Sequence, residues 1–318
     1  MMRKKKKTAC IMIIFYLLIF SSFSLAVTPK PLRSNTSGSF DMEFHQVKKN
    51  IDRSFPAIIS KKKSNLSKNN KKKATQNPLG IRTFKPNYIF PLYYTDEPYQ
   101  SIYEGQTPND QRINNYEMKY QLSLKVPVWH KMFGLNSSLN IAYTQMSYWQ
   151  FYTESQYFRE TDYEGEVFIN YNFAPHWFLM PGIVHQSNGK GIPLERSWNR
   201  VYTEMLYSDG HFMLSVKPWV LVFERYSSDL HNSDIRHYMG NGLVRAAYKF
   251  HQVVLAVMVR NELESQFSRG AEQGTISFPL FNKIRGYVEV FSGYGQSLLE
   301  YNHYTNAVGL GISFNDWL

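Results

Sequence analysis

From about residue 81 onward, apolar and polar residues alternate with a period of two. Met118, Tyr120, Leu122, Leu124, Val126 and Val128 are interleaved with Lys119, Gln121, Ser123 and Lys125. Tyr163, Gly165, Val167, Ile169, Tyr171 and Phe173 are interleaved with Glu164, Glu166, Asn170 and Asn172. The same alternation runs through 212–222 and 304–314. Successive side chains of a strand point to opposite faces, so this pattern predicts strands with one apolar and one polar side. Such segments lie near 86–94, 116–128, 137–150, 163–173, 177–187, 199–208, 211–223, 236–249, 252–262, 270–279, 283–293 and 303–314. Turn formers such as Asn136, Asp209-Gly210 and Asn282 separate several of them.

The segment lengths suit strands that cross a membrane, which need roughly 9–11 residues. The alternative, a soluble β-sandwich, accounts for the alternation but not for the length or for 23 Tyr and 22 Phe. Those aromatics suit girdles around an outer surface. Lipid leaves no room for an unpaired strand edge, so strands that cross it must close on themselves. The expected fold class is therefore all-β: a twelve-stranded antiparallel transmembrane β-barrel over 81–318.

The chain starts differently. Arg3 and Lys4 to Lys7 precede an apolar run from about Cys10 to Phe20, and small residues end at Ser24-Leu25-Ala26. That order is expected of a secretory signal peptide over 1–26. Cys10 leaves with it, so the exported chain is expected to lack disulfides, thiolate metal sites and a cysteine nucleophile. Residues 27–80 are rich in Lys, Asn and Ser and are expected to form a basic, disordered extension. It either contacts anionic headgroups or is merely solvated.

The formal charge of +11 belongs to this leader and extension. Residues 1–80 hold 17 Lys/Arg and 3 Asp/Glu, or +14, which leaves 11 − 14 = −3 for the remainder. The barrel region is slightly acidic, and no nucleic-acid partner is expected.

One pair of residues stands out as chemistry. His185 and Ser187 close the segment 177–187 with the parity of Trp177, Leu179 and Ile183, which places both on the lipid side. Residues two apart on a strand lie ~6.7 Å from each other. A polar pair facing lipid is costly for a purely structural wall. It suits a nucleophile and base acting on the lipid itself, with His185 taking the Ser187 proton. Asn199, at the start of the next segment, can accept a hydrogen bond from the imidazole and fix its tautomer. An ordinary strand-end histidine remains open on pattern alone, because there is no G-x-S-x-G elbow and no H-E-x-x-H motif.

The run His185-Gln-Ser187-Asn-Gly189-Lys190 through Arg196-Ser-Trp198-Asn199-Arg200, then Tyr202-Thr203, resembles the signature of the outer-membrane phospholipase A family. Tyr120-Gln-Leu-Ser-Leu124, Tyr143-Thr-Gln145, Phe158-Arg-Glu-Thr161, Val216-Lys-Pro-Trp219, Tyr238-Met-Gly240 and Ser292-Gly-Tyr-Gly-Gln-Ser297 also resemble family segments, in order, over about 86–318. The resemblance implies an outer-membrane, Gram-negative, calcium-dependent hydrolase of phospholipids and lysophospholipids, with A1 and A2 activities. It implies Ser187 as nucleophile, His185 as base, Asn199 as orienting residue and Gly189 as oxyanion donor. For calcium (Ca2+) it implies backbone carbonyls of Lys190 and Glu195 and, from a partner subunit, Ser155. Family members more usually carry serine at the place of Glu195. It further implies an activity-linked homodimer with Gln145 buried at its interface. Independently, Gln145 has lipid-face parity with Leu139, Ile141 and Tyr143. It either seeks a partner across a two-fold axis or bonds water near the headgroups. The chain ends in Trp317-Leu318, whereas family members usually end in an aromatic residue. A non-enzymatic pore or adhesin barrel is the competing reading, and an acyltransferase would share the same nucleophile.

Overall fold

A computed structural model describes residues 80–132, 135–222, 231–261, 265–266 and 268–318. The expected signal peptide and basic extension lie outside the described residues. Thirteen strand segments follow one another: β1 (Arg82–Thr83), β2 (Tyr88–Thr95), β3 (Tyr116–His130), β4 (Ser137–Gln150), β5 (Tyr157–Ala174), β6 (Trp177–Ser187), β7 (Ser197–Ser208), β8 (Phe212–Leu221), β9 (Gly242–Phe250), β10 (Val253–Arg260), β11 (Ala271–Phe281), β12 (Ile284–Tyr294) and β13 (Tyr304–Ser313). One short helix, α1 (Ile235–Met239), precedes β9.

From β2 onward every strand pairs antiparallel with its neighbours in sequence, and β13 pairs with β2 to close the ring, as in Leu310↔Leu92. Segments β1 and β2 both pair with β3 and occupy one place in the wall. The structure is thus a closed twelve-stranded barrel. Closure removes the exposed edges that lipid would not tolerate.

The wall has two chemically distinct surfaces. Leu122, Ile141, Val167, Ile183, Val201, Val216, Val220, Val257, Val308 and Leu310 are exposed on the outside. The inside is polar and ion-paired. Lys119 Nζ lies 2.6 Å from Glu289, and Lys217 Nζ 3.1 Å from Glu166. Arg200 lies 3.1 Å from Glu164, which also pairs with Lys85. Charges of both signs thus pair across the lumen, while Arg245 stacks 4.0 Å from the ring centre of Trp317. The aromatic residues are divided between the surfaces. Phe90, Tyr93, Tyr148, Phe168 and Tyr287 fill the interior, so only part of the aromatic load serves as outer girdles.

Two strands start six residues away from the expected position. Residues 236–239 belong to α1, and the strand begins at Gly242 instead; Gly240, with φ 68°, ends the helix in the left-handed region. Strand β5 begins at Tyr157, six residues before the expected 163. The register slips between Tyr148 and Trp149, so Arg159 is an extra residue, and both Arg159 and Glu160 turn inward. A bulge of this kind erases the period-two signal where it occurs.

The connections sort by length onto the two rims. One rim carries the short turns at 175–176, 209–211, 251–252 and 282–283, along with the 131–136 turn. The other carries the long connections at 96–115, 151–156, 188–196, 222–241, 261–270 and 295–303. Outer-membrane barrels have short periplasmic turns and longer extracellular loops. Ser187, the last residue of β6, stands at the rim that carries the long connections.

Candidate active site on the lipid-facing wall

The site is built by register. His185 on β6 pairs with Gly165 on β5 and with Asn199 on β7. Ser187 pairs with Tyr163 on β5 and Ser197 on β7. His185 is exposed and follows the outward parity of Ile183, which is 57% exposed. Ser187, half-buried, is on the same face at the next outward position. The structure therefore brings His185, Ser187 and Asn199 together on the outside of the barrel.

Nδ1 of His185 lies 2.8 Å from Oδ1 of Asn199. An amide oxygen only accepts, so Nδ1 carries the proton and Nε2 presents its lone pair. Nε2 makes no hydrogen bond among the described residues. Glycine at 165 leaves open space beside the ring, because a Cβ there would meet nothing within 4 Å.

Beyond Ser187 the chain leaves the sheet through Asn188 and Gly189. Asn188 is buried and holds the 188–196 connection closed. Its Oδ1 accepts from the backbone N–H of Arg196 at 2.9 Å, and its Nδ2 donates to the carbonyl of Leu194 at 2.8 Å. Gly189 has φ 63°, a conformation costly for residues with a Cβ. A Cβ there would also press on the Tyr163 ring at 3.1 Å. Asn188 and Tyr163 are supporting residues that sequence reasoning missed. The polar residue immediately after Ser187 was the only signal for the first, and strand register alone reveals the second.

The inner face behind the trio is rigid. Gln186 Oε1 accepts from Trp198 Nε1 at 2.8 Å and from Arg200 at 3.0 Å. The Arg200 guanidinium stacks on Trp198, 3.8 Å from its ring centre. These contacts lock β6 to β7 in the register that pairs His185 with Asn199.

The remaining residues of interest lie on the same rim. Ser155 Oγ accepts from Asn109 Nδ2 at 2.8 Å, and the amide of Gln111 bonds both the carbonyl and the N–H of Ser155. The Glu195 carbonyl accepts from Arg196 at 2.7 Å, and its carboxylate is 3.3 Å from His231. The Lys190 ammonium points inward, away from the outer face. Tyr103, Ile113, Leu194 and Leu299 pack into one apolar cluster, joining three of the long connections. Burial pushes the Tyr103 phenol well above its ordinary value, so it stays neutral and accepts a hydrogen bond from Arg159. Gln145 is on the outer wall of β4, where Tyr143 donates to its oxygen at 3.0 Å and its amide donates to Ser147 at 3.1 Å.

An apolar belt, an ion-paired interior and a polar trio on the lipid side define an integral outer-membrane barrel with the makings of a lipid-directed enzyme. The sequence profile of the phospholipase A1 family matches residues 64–314. Phospholipase A1 of Proteus vulgaris is 36% identical over 248 residues, covering 76% of this chain and 83% of the relative. Phospholipase A1 of Escherichia coli K12 is 36% identical over 249 residues, with the same coverage. Among solved structures, the Salmonella typhi outer-membrane phospholipase dimer with bound calcium superposes with a TM-score of 0.68 at 32% identity, over 76% of this chain and 94% of that one. The E. coli outer-membrane phospholipase A superposes equally well. The chain belongs to the phospholipase A1 family and is an outer-membrane phospholipase of Gram-negative type.

Proposed function

We propose that this phospholipase is a calcium-dependent serine hydrolase with A1 and A2 activities on phospholipids and lysophospholipids, and that Ser187, His185 and Asn199 form its triad. One observation carries the reading. A histidine oriented by an asparagine at 2.8 Å shares the lipid-facing wall with a serine two residues away. The E. coli relative has also been solved as an active-site mutant in which asparagine is replaced by alanine, which supports an asparagine in this role.

The chemistry runs in two halves. His185 Nε2 removes the Ser187 proton as Oγ attacks the ester carbonyl carbon. Charge gathers on the carbonyl oxygen, where the N–H of Gly189 would receive it. The C–O bond to glycerol then breaks, and His185 returns the proton to the departing alcohol. Water, deprotonated by the same imidazole, cleaves the acyl-serine and frees the fatty acid.

Calcium would be held by the carbonyls of Lys190 and Glu195 and by the partner subunit's Ser155. All are hard oxygen donors, which suits this cation. The inward-turned Lys190 ammonium keeps its charge away and the Glu195 carboxylate adds a negative group nearby, while the Glu195 carbonyl, which already accepts from the Arg196 guanidinium at 2.7 Å, would offer the ion its second lone pair. When bound, calcium supplies positive charge that steadies the oxyanion.

The donor from a partner subunit makes the active form a homodimer, with Gln145 at the interface. Its bonds to Tyr143 and Ser147 leave one amide hydrogen and one lone pair for a second copy. A passive pore is opposed by the ion pairs that bridge the lumen. Fatty-acid release from mixed micelles, measured for wild type and S187A with calcium or a chelator, tests the reading. Release only by calcium-loaded wild type supports it, and full release by S187A refutes it.

A further inference from the structure

The Gly189-Lys190 segment supplies two backbone groups to the proposed chemistry, yet it has left the sheet and has no strand partner. A side chain ties it down. Nζ of Lys190 donates to the carbonyl of Arg159 at 2.5 Å and lies 3.4 Å from Oε2 of Glu160. It also sits 5.7 Å from the ring centre of Tyr103. Both acceptors belong to β5, the strand whose Tyr163 packs beside Gly189.

Glu160 is fully buried, and neither of its carboxylate oxygens has a hydrogen-bond partner. Lys190 is the only cation in ion-pair contact with it among the described residues. The neighbouring Arg159 is already engaged by Glu117 and Glu300. A carboxylate in this setting is costly unless a cation meets it. Glu160 faces inward in regular alternation with Asp162 and Glu166, and the bulge adds Arg159 as a second inward residue beside it.

We propose that Lys190 is a positioning residue whose inward ammonium, drawn to Glu160 and the Arg159 carbonyl, sets where the Gly189 N–H and the Lys190 carbonyl point. The proposal rests on the reading that those backbone groups serve the oxyanion and calcium. Lys190 acts through its backbone neighbours and does not touch substrate. It also joins the catalytic rim to the interior network of Arg159, Glu117 and Glu300, so loop position and lumen electrostatics are coupled.

The test compares wild type, K190M, K190R, E160Q, K190M/E160Q and S187A as folded, purified barrels. The readouts are kcat, KM and calcium affinity by titration calorimetry. K190M and E160Q should each lower kcat by about 10–100-fold, since small misplacements at a reacting centre have effects of this order. Each should weaken calcium binding by about 10-fold or more, as lost support of a metal site does. KM should stay unchanged, and K190R should recover most of both losses. The double variant should be no worse than K190M, because one contact cannot be lost twice. If a singly charged variant refolds poorly, K190R and the double variant, which leaves no lone charge, carry the comparison. Wild-type kcat and calcium affinity in K190M, or losses that multiply in the double variant, overturn the anchor. Full turnover by S187A overturns the underlying reading instead.

Discussion

His185 and Asn199 face each other as a registered pair across β6 and β7, with Nδ1 and Oδ1 2.8 Å apart. The sheet itself thus sets the imidazole, and no flexible loop intervenes. N199A should keep the barrel but leave the ring free to turn, lowering kcat on the order of 10²-fold. H185A removes the base and should lower kcat by about 10²–10⁴-fold. Steady-state hydrolysis of a short-chain ester in detergent measures both. Turnover in H185A equal to wild type would exclude the base assignment.

Chelation of calcium should abolish fatty-acid release, and adding calcium back should restore it. The barrel has twelve strands and many lumen ion pairs independent of the ion, so its secondary structure should not change on chelation. Circular dichroism and a release assay on the same sample separate these effects. Undiminished release in excess chelator would remove calcium from the mechanism.

Q145A should weaken self-association only modestly. Polar contacts between membrane segments average about 0.6 kcal/mol, or about threefold in Kd. The intrachain bonds to Tyr143 and Ser147 already meet part of the side chain's need. Sedimentation equilibrium in detergent with calcium measures the shift, and an unchanged dimer constant would take Gln145 out of the interface.

The interior carries stability as well as blocking the lumen. Lys119 and Glu289 are both buried and 2.6 Å apart. K119M leaves Glu289 uncompensated and should destabilise the barrel by about 3–5 kcal/mol. K119M/E289L, which removes both charges, should recover most of that loss. Reversible urea unfolding in lipid vesicles reads the difference, and equal destabilisation of single and double variants would contradict the pairing.

The barrel was legible because lipid outside and polar or small side chains inside force an alternation along β3, β5 and β13. The limits of β4 and β6 coincide with the expected ones. Legibility failed where a local backbone event broke the period. The bulge at Arg159 hid the first six residues of β5, and α1 occupied 235–239 in a segment whose hydrophobicity resembles that of a strand. At the site, parity along one strand placed His185 and Ser187 together. The approach of Asn199, Gly165 and Tyr163 depends on register between strands, which a single sequence does not contain. The inward turn of Lys190 was hidden for the same reason, since its partners Arg159 and Glu160 belong to another strand.

The central claim is that Ser187 is the nucleophile. A long-chain alkyl fluorophosphonate, which forms a covalent bond with activated serine hydroxyls, followed by peptide mass spectrometry, tests it most directly. A single adduct on Ser187, lost in H185A, is the expected result. An adduct confined to another residue, or equal labelling of S187A, would contradict it.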